Sequence, residues 1–245
     1  MDDAFFKEIG LVFDEIMNTD DIRVVILWAE GKIFTAGLDL KSAAGLLSGT
    51  GEGSHAVQSL IFYKHILAYH ASFKKIQACP KPVIACVHGA CIGGGVDLIS
   101  WCDIRLASQD ATFSIKETQI AIVADLGTLQ RIGKLTSNGF AKELAFAGEP
   151  VPASRCHHFG FLNNVYDNKD TMLQEARKLA TNIANNSPLV VQGTKVAVNF
   201  AMEHNTEDSL QHIALWNSAF LQSEDLVEAV SAFMSKQKPT FRNKL

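Results

Sequence analysis

The sequence holds little of what would assign it to a specialised class. Its five cysteines, Cys79, Cys86, Cys91, Cys102 and Cys156, are odd in number and include no C-x-x-C pair. Most lie among apolar residues, where a thiol behaves as a small hydrophobe. This pattern fits a reducing compartment and argues against a disulfide framework or a zinc site. Charge of one sign is also lacking: 22 Lys and Arg stand against 26 Asp and Glu, a net charge of −4. No broad basic footprint is therefore available for nucleic acid or an anionic membrane. The charge-free stretch 82–96 is too short to cross a bilayer and is broken by Gly89, Gly93, Gly94 and Gly95. The opening MDDAFFKE is neither a secretory signal nor an Arg-rich mitochondrial presequence. There is no repeat of fixed period, and no low-complexity tract beyond the Gly/Ser loop at 48–54. A correctly spaced dinucleotide fingerprint, a P-loop and a G-x-S-x-G elbow are absent. The eight histidines, among them His65, His70, His157 and His158, lack metal spacing and are expected on the surface or in the core.

What is present describes an ordinary globular chain. The composition is 47% hydrophobic and 20% charged over 245 residues, enough for one large domain or for a core with a helical appendage. Phe5, Ile9, Val12, Phe13 and Ile16 recur at helical spacing before the turn-forming NTDD at 18–21. RVVILW at 23–28 and PVIACV at 82–87 read as buried parallel strands, the second with Pro80 and Pro82 excluding a helix before it. A helix over 55–78 connects them, making a right-handed parallel unit. Shorter strands are predicted at 103–107, 113–115 and 162–165. From Asn168 the pattern is amphipathic helix, with Ser187-Pro188 opening one helix and Asn205 capping another. The domain reading is an α/β core over 1–166 and a helical region over 167–245.

Two small-residue turns are candidates for binding. VHGACIGGGVD at 87–97 follows a buried strand and leads into a helix, so a ligand can approach its backbone and meet free N–H groups at the helix start. FTAGLDL at 34–40 lies beyond the first strand. In α/β sheets ligands gather beyond the carboxyl ends of strands. Two N–H groups converging from separate loops can hold a thioester oxygen as it gains negative charge. Either turn is also readable as a packing turn alone. Three carboxylates sit in apolar company: Asp97, Glu117 and Asp125. Loss of water raises a carboxyl pKa toward neutrality, which suits proton exchange at physiological pH. Each has a structural reading too. Asp125 can cap a helix over 126–134, Glu117 can be solvated, and Asp97 can satisfy buried backbone N–H groups.

In these residues and their order the chain resembles the crotonase, or enoyl-CoA hydratase/isomerase, superfamily. The matching elements are FTAGLDL at 34–40, PKPVIA at 80–85, GGGVDL at 93–98, CDIR at 102–105 and GTLQR at 127–131, and they extend over essentially the whole chain. The resemblance implies a crotonase-like spiral of ββα turns with a helical C-terminal trimerisation region, giving a homo-trimer or homo-hexamer. It implies an acyl-coenzyme A thioester as substrate, with no metal or redox cofactor, coenzyme A being part of the substrate. Leu38 and Gly94 would supply the two oxyanion N–H groups, and the backbone of Ala36, Gly37, Leu38, Asp39 and Leu40 would line the coenzyme A site. Hydratases of the superfamily carry Glu at the positions of Asp97 and Glu117 and Gly at that of Asp125. With Asp at 97 and VADLGTLQR at 123–131, this chain looks like the Δ3,5-Δ2,4-dienoyl-CoA isomerases of unsaturated fatty-acid β-oxidation. Their acid/base pair matches Glu117 and Asp125, and Asp97 would support the site electrostatically. The rival readings are a 2-enoyl-CoA hydratase and a catalytically silent acyl-CoA-binding subunit. Members of the family have a strand pair before the first helix, with an Arg-Pro segment that contributes to coenzyme A binding. This sequence opens at that helix, so those strands are expected to be missing. The last three residues, Asn243-Lys244-Leu245, resemble the peroxisomal address Ser-Lys-Leu on a polar, exposed tail. They point to the peroxisome, with the mitochondrion as the alternative.

Overall fold

The computed structural model describes residues 1–42 and 53–241. Most of the Gly/Ser loop and the terminal Asn243-Lys244-Leu245 lie outside the described residues. Helix α1 (Asp3–Met17) is followed by strand β1 (Val25–Leu27), long helix α2 (His55–Ala78), β2 (Val83–Val87), β3 (Ala90–Ile92) and α3 (Gly94–Ser100). The chain continues through β4 (Ile104–Ser108), β5 (Thr112–Ser114), a 3-10 turn (Lys116–Ile120), α4 (Thr128–Leu135), α5 (Asn138–Ala147), β6 (Val151–Pro152), α6 (Ala153–His158) and β7 (Asn164–Tyr166). It ends in α7 (Lys169–Ala184), α8 (Pro188–Ala201), α9 (Thr206–Phe220) and α10 (Glu224–Met234).

The larger sheet has the order β1-β2-β4-β7 and is parallel throughout, and the smaller has the order β3-β5-β6. Because only His88 and Gly89 separate β2 from β3, the chain passes from the large sheet to the small one before it enters α3. The passage β4-β5 repeats that step. This is the ββα turn of the spiral. The charge-free stretch 82–96 thus holds two strands, where the apolar pattern predicts one strand running directly into a glycine turn. The difference arises because His88-Gly89 is a two-residue corner inside an otherwise continuous apolar run.

Strand β2 is buried along its whole length. Its alternate residues serve two cores, as a strand covered on both faces must. Val83, Ala85 and Val87 face the main core with Phe6, Phe13, Phe73, Ile76 and Phe113, while Ile84 and Cys86 pack with Leu106 against Met172, Leu173 and Ala176 of α7. Two buried lysines fasten the outer elements to this frame. Lys81 Nζ donates to the carbonyls of Ile16 (2.5 Å) and Thr19 (2.6 Å), closing the end of α1, and Lys195 Nζ of α8 meets Asp103 Oδ2 at 2.7 Å. A buried ammonium is tolerated only when its donors are used in this way.

Beyond Tyr166 the described chain is helical. Ser187 caps α8 through Val190 N (3.2 Å), and Asn205 caps α9 through Asp208 N (2.9 Å). No described helix is long and apolar enough to cross a membrane.

Candidate active site

The two small-residue turns meet beside β3. Thr35 N donates to Ala90 O (2.9 Å), and Ile92 N donates back to Thr35 O (3.2 Å), so the 34–40 segment runs alongside that strand. Gly37 then takes φ +89, and a Cβ there would lie 2.8 Å from Ile92 O and 3.7 Å from Gly94 N. Only glycine allows so close an approach. It brings the backbone at Leu38 next to the start of α3, where a helix leaves its first N–H groups without intrahelical acceptors. Gly37 is buried and Leu38 half-buried, while Ala36, Asp39 and Leu40 form an exposed rim. The Asp39 carboxylate accepts from Lys41 N (3.0 Å) and from the Ser42 backbone and hydroxyl. Those bonds, the hydroxyl foremost, hold its pKa below the ordinary carboxylate range and tie it to its own turn. A cavity of about 390 Å³ adjoins this rim, bounded by Phe5, Leu27, Trp28, Phe34, Thr35 and Asp39.

The three sequence-selected acids converge on the other side of the glycine turn. Gly93, at φ +53, closes the corner between β3 and α3, and a Cβ on it would stand 2.9 Å from Glu117 Oε1. The 3-10 turn therefore presses the Glu117 carboxyl onto the glycine turn. Burial raises its pKa to about 7, and the negative charges of Asp97 and Asp125 add to that rise. Glu117 is half-buried, and its Oε2 is buried with no hydrogen-bond partner among the described residues, so that oxygen is not solvated. Asp97, fully buried on α3, accepts from Thr128 N (2.7 Å) at the first turn of α4. Burial raises its pKa to about 6 despite that bond. Asp125, half-buried in the connection before α4, is also raised by burial. Asp125 does not cap α4: the helix begins at Thr128 with Gly127 as its cap residue and no side-chain cap of its own. The carboxylate that receives an N–H of that first turn is Asp97.

One residue passed over in the sequence reaches this cluster. His70 projects from α2, and its Nε2 lies 2.5 Å from the carbonyl oxygen of Asp125. Its spacing carried a signal, since Phe73 and Ile76, three and six residues on, are fully buried on the inward side of the same helix.

A larger cavity of about 930 Å³ lies elsewhere, between α8, α9 and α10, and is lined by apolar side chains such as Val190, Trp216, Phe220 and Leu226. None of the three acids borders it. The acids and the two turns instead bring desolvated carboxyl groups close to a helix start where backbone N–H groups lack intrahelical acceptors.

The family model described as enoyl-CoA hydratase/isomerase matches residues 1–244. The chain is 51% identical over 99% of its length, and 83% of the relative's, to a Dictyostelium discoideum protein named Delta(3,5)-Delta(2,4)-dienoyl-CoA isomerase, mitochondrial. It is 42% identical over 97% of its length, and 86% of the relative's, to the Arabidopsis thaliana protein of that activity named peroxisomal. Among solved structures it is similar to an enoyl-CoA hydratase from Bacillus anthracis, with a TM-score of 0.88 at 28% identity, covering 98% of this chain and 89% of that one.

Proposed function

The chain belongs to the enoyl-CoA hydratase/isomerase family, and from that membership we propose that it isomerises 3,5-dienoyl-CoA to 2,4-dienoyl-CoA. The observation that carries this reading is a second carboxyl, Asp125, close enough to Glu117 to raise its pKa; the family resemblance implies glycine at that position in hydratases. Hydration needs a water on one C=C bond, whereas shifting a conjugated pair needs proton transfer at two distant carbons. Two separated carboxyls suit the second task.

In the mechanism that follows, the thioester oxygen takes the N–H groups of Leu38 and Gly94. Asp125, as carboxylate, removes a proton from C2. The resulting trienolate places negative charge on the held oxygen and along the conjugated chain to C6. Glu117, whose pKa of about 7 leaves it substantially protonated near neutrality, delivers a proton at C6. Asp97 carries no proton in this scheme; it fixes the start of α4 and adds negative potential that keeps Glu117 protonated. The backbone of Ala36, Gly37, Leu38, Asp39 and Leu40 lies along the coenzyme A moiety. Every proton moves between substrate and carboxyl groups, so the scheme calls for no metal or redox cofactor. The active form is a homo-trimer or a hexamer built of two trimers.

Relatives of this type are named both mitochondrial and peroxisomal, and the Asn243-Lys244-Leu245 ending favours the peroxisome for this chain. Fusing the last twelve or so residues to a fluorescent reporter tests that choice: punctate signal lost on deleting Leu245 supports it, and diffuse signal in both cases refutes it. The activity is tested with a 3,5-dienoyl-CoA and crotonyl-CoA assayed in parallel. Formation of the 2,4-dienoyl chromophore from the first supports the proposal. Hydration of the second without isomerisation of the first makes the protein a hydratase, and binding of both without turnover makes it a silent subunit.

A further inference from the structure

Asp125 lies in a connection, residues 121–127, without regular secondary structure between the 3-10 turn and α4. The chain enters it through Ala121 at φ +60, a left-handed conformation uncommon for a residue with a side chain. A base carried on such a segment meets a substrate carbon reproducibly only if side chains from rigid elements hold its backbone. Three do so at nearly consecutive peptide units. Trp101, at the end of α3, donates from Nε1 to Leu126 O (3.0 Å), and Asp97 of α3 accepts from Thr128 N (2.7 Å). The third is His70 of α2, which faces the carbonyl oxygen of Asp125 itself. A carbonyl only accepts, so the facing Nε2 carries the hydrogen.

Deepening the isomerase reading and resting on it, we propose that His70 is a positioning residue for Asp125, fixing the backbone of the proton-abstracting residue through its contact with the Asp125 carbonyl. The groups that face one another here are Asp97 from α3, Glu117 from the 3-10 turn, Asp125 from the connection and His70 from α2. The nearest cation on α4, Arg131, is directed elsewhere: it donates to Ser100 O and Gln77 Oε1, both at 2.8 Å, with its guanidinium over the Trp101 ring.

Two variants test the positioning role. His70→Gln keeps an N–H donor at similar reach, and His70→Phe keeps a ring and removes the donor. For His70→Phe the expected result is a kcat lower by roughly ten- to a hundredfold with little change in KM, the scale expected when a catalytic group is misplaced, and for His70→Gln a kcat within about threefold of the wild type. Amide hydrogen exchange across the connection before α4 in the free protein gives a readout that needs no turnover: it is faster in His70→Phe and returns toward the wild type in His70→Gln. A merely structural role moves only the melting temperature. Wild-type kinetics in His70→Phe, or unchanged exchange in that connection, overturns the proposal. A wild type that turns over no dienoyl-CoA instead defeats the isomerase reading, and the exchange measurement still decides the role of His70.

Discussion

The α/β core and the C-terminal helices solve the burial problem in opposite ways. Every residue of β2 and of α3 is buried by the chain's own neighbours, whereas α9 buries none of its residues and α10 leaves Phe233 and Met234 82% and 78% exposed. In a closed core each polar group is costly unless it is bonded or employed. Asp97 is bonded to Thr128 N, and Glu117 keeps one oxygen with no described partner, which marks it as a group held ready for something else. In the helical region the unusual feature is apolar: Leu215 and Val227 are 72% and 70% exposed beside those two α10 residues. Burial is deep around Asp97 and partial at Glu117 and Asp125, where the chemistry is proposed to occur, and it is least where a second copy is expected to dock.

The largest effect that would sharpen this contrast is catalytic. Asp125→Asn and Glu117→Gln are each expected to lower turnover by at least about a hundredfold, the scale of a lost general base or acid, with an unchanged circular dichroism spectrum. Asp97→Asn retains an acceptor for Thr128 N and should cost turnover less than either. Full activity in Asp125→Asn would break the assignment of the proposed chemistry to the core.

Next comes assembly. Leu215→Glu combined with Phe233→Glu places charge on the exposed apolar faces of α9 and α10, and should shift the protein from trimer or hexamer toward monomer in light scattering, with the helical signal retained. A wild type that is a stable monomer at micromolar concentration would remove the expected role of the helices.

Linkage to pH gives a smaller effect. Asp97 and Glu117 have folded pKa values raised to about 6 and about 7, above those of the unfolded chain. The stability they contribute is fully present below about pH 4 and is lost as pH rises through 6 and 7. Neither Asp97→Asn nor Glu117→Gln can titrate at that position, so the melting temperature of each variant relative to the wild type should climb between pH 4 and pH 8. A constant difference across that range would show that the acids are not desolvated. The smallest effect lies at exposed Gly139 of α5, where a Cβ meets nothing within 4 Å. Gly139→Ala should stabilise by about 0.5–1 kcal/mol in denaturant titration, whereas Gly93→Ala drives a methyl into the Glu117 carboxyl and should impair turnover.

Periodicity and punctuation made much of the fold legible. The strand runs at 23–28 and 82–87, the long helix between them and the helix caps at Ser187 and Asn205 all form in the structure, with β1 half-buried where the pattern predicts a buried strand. The helix and caps depend on residues close in sequence, and the two strands show because their apolar runs are long enough to read although they pair with each other across the chain. The short β3 and β6 were not legible. Their backbones are fixed by pairing with β5, and elements of three and two residues carry too little pattern to be read alone. The same division holds at the site. Apolar surroundings pointed to Asp97, Glu117 and Asp125, since desolvation is foreshadowed by neighbours in sequence. His70 was not found, because its contact with Asp125 spans 55 residues: its spacing to Phe73 and Ile76 places it on the inward side of α2 but does not announce its partner.

The sequence by itself pointed to the family, and through that resemblance to the expected spiral, as well as to two small-residue turns and three acids in apolar company. Only the tertiary structure decided how those acids divide their tasks. Which carboxyl receives the N–H of α4, which one lies against the glycine turn without a partner, and which is held through its backbone by a histidine are facts of packing. Hydrogen bonding and desolvation act through space, at separations that the order of residues along the chain does not encode.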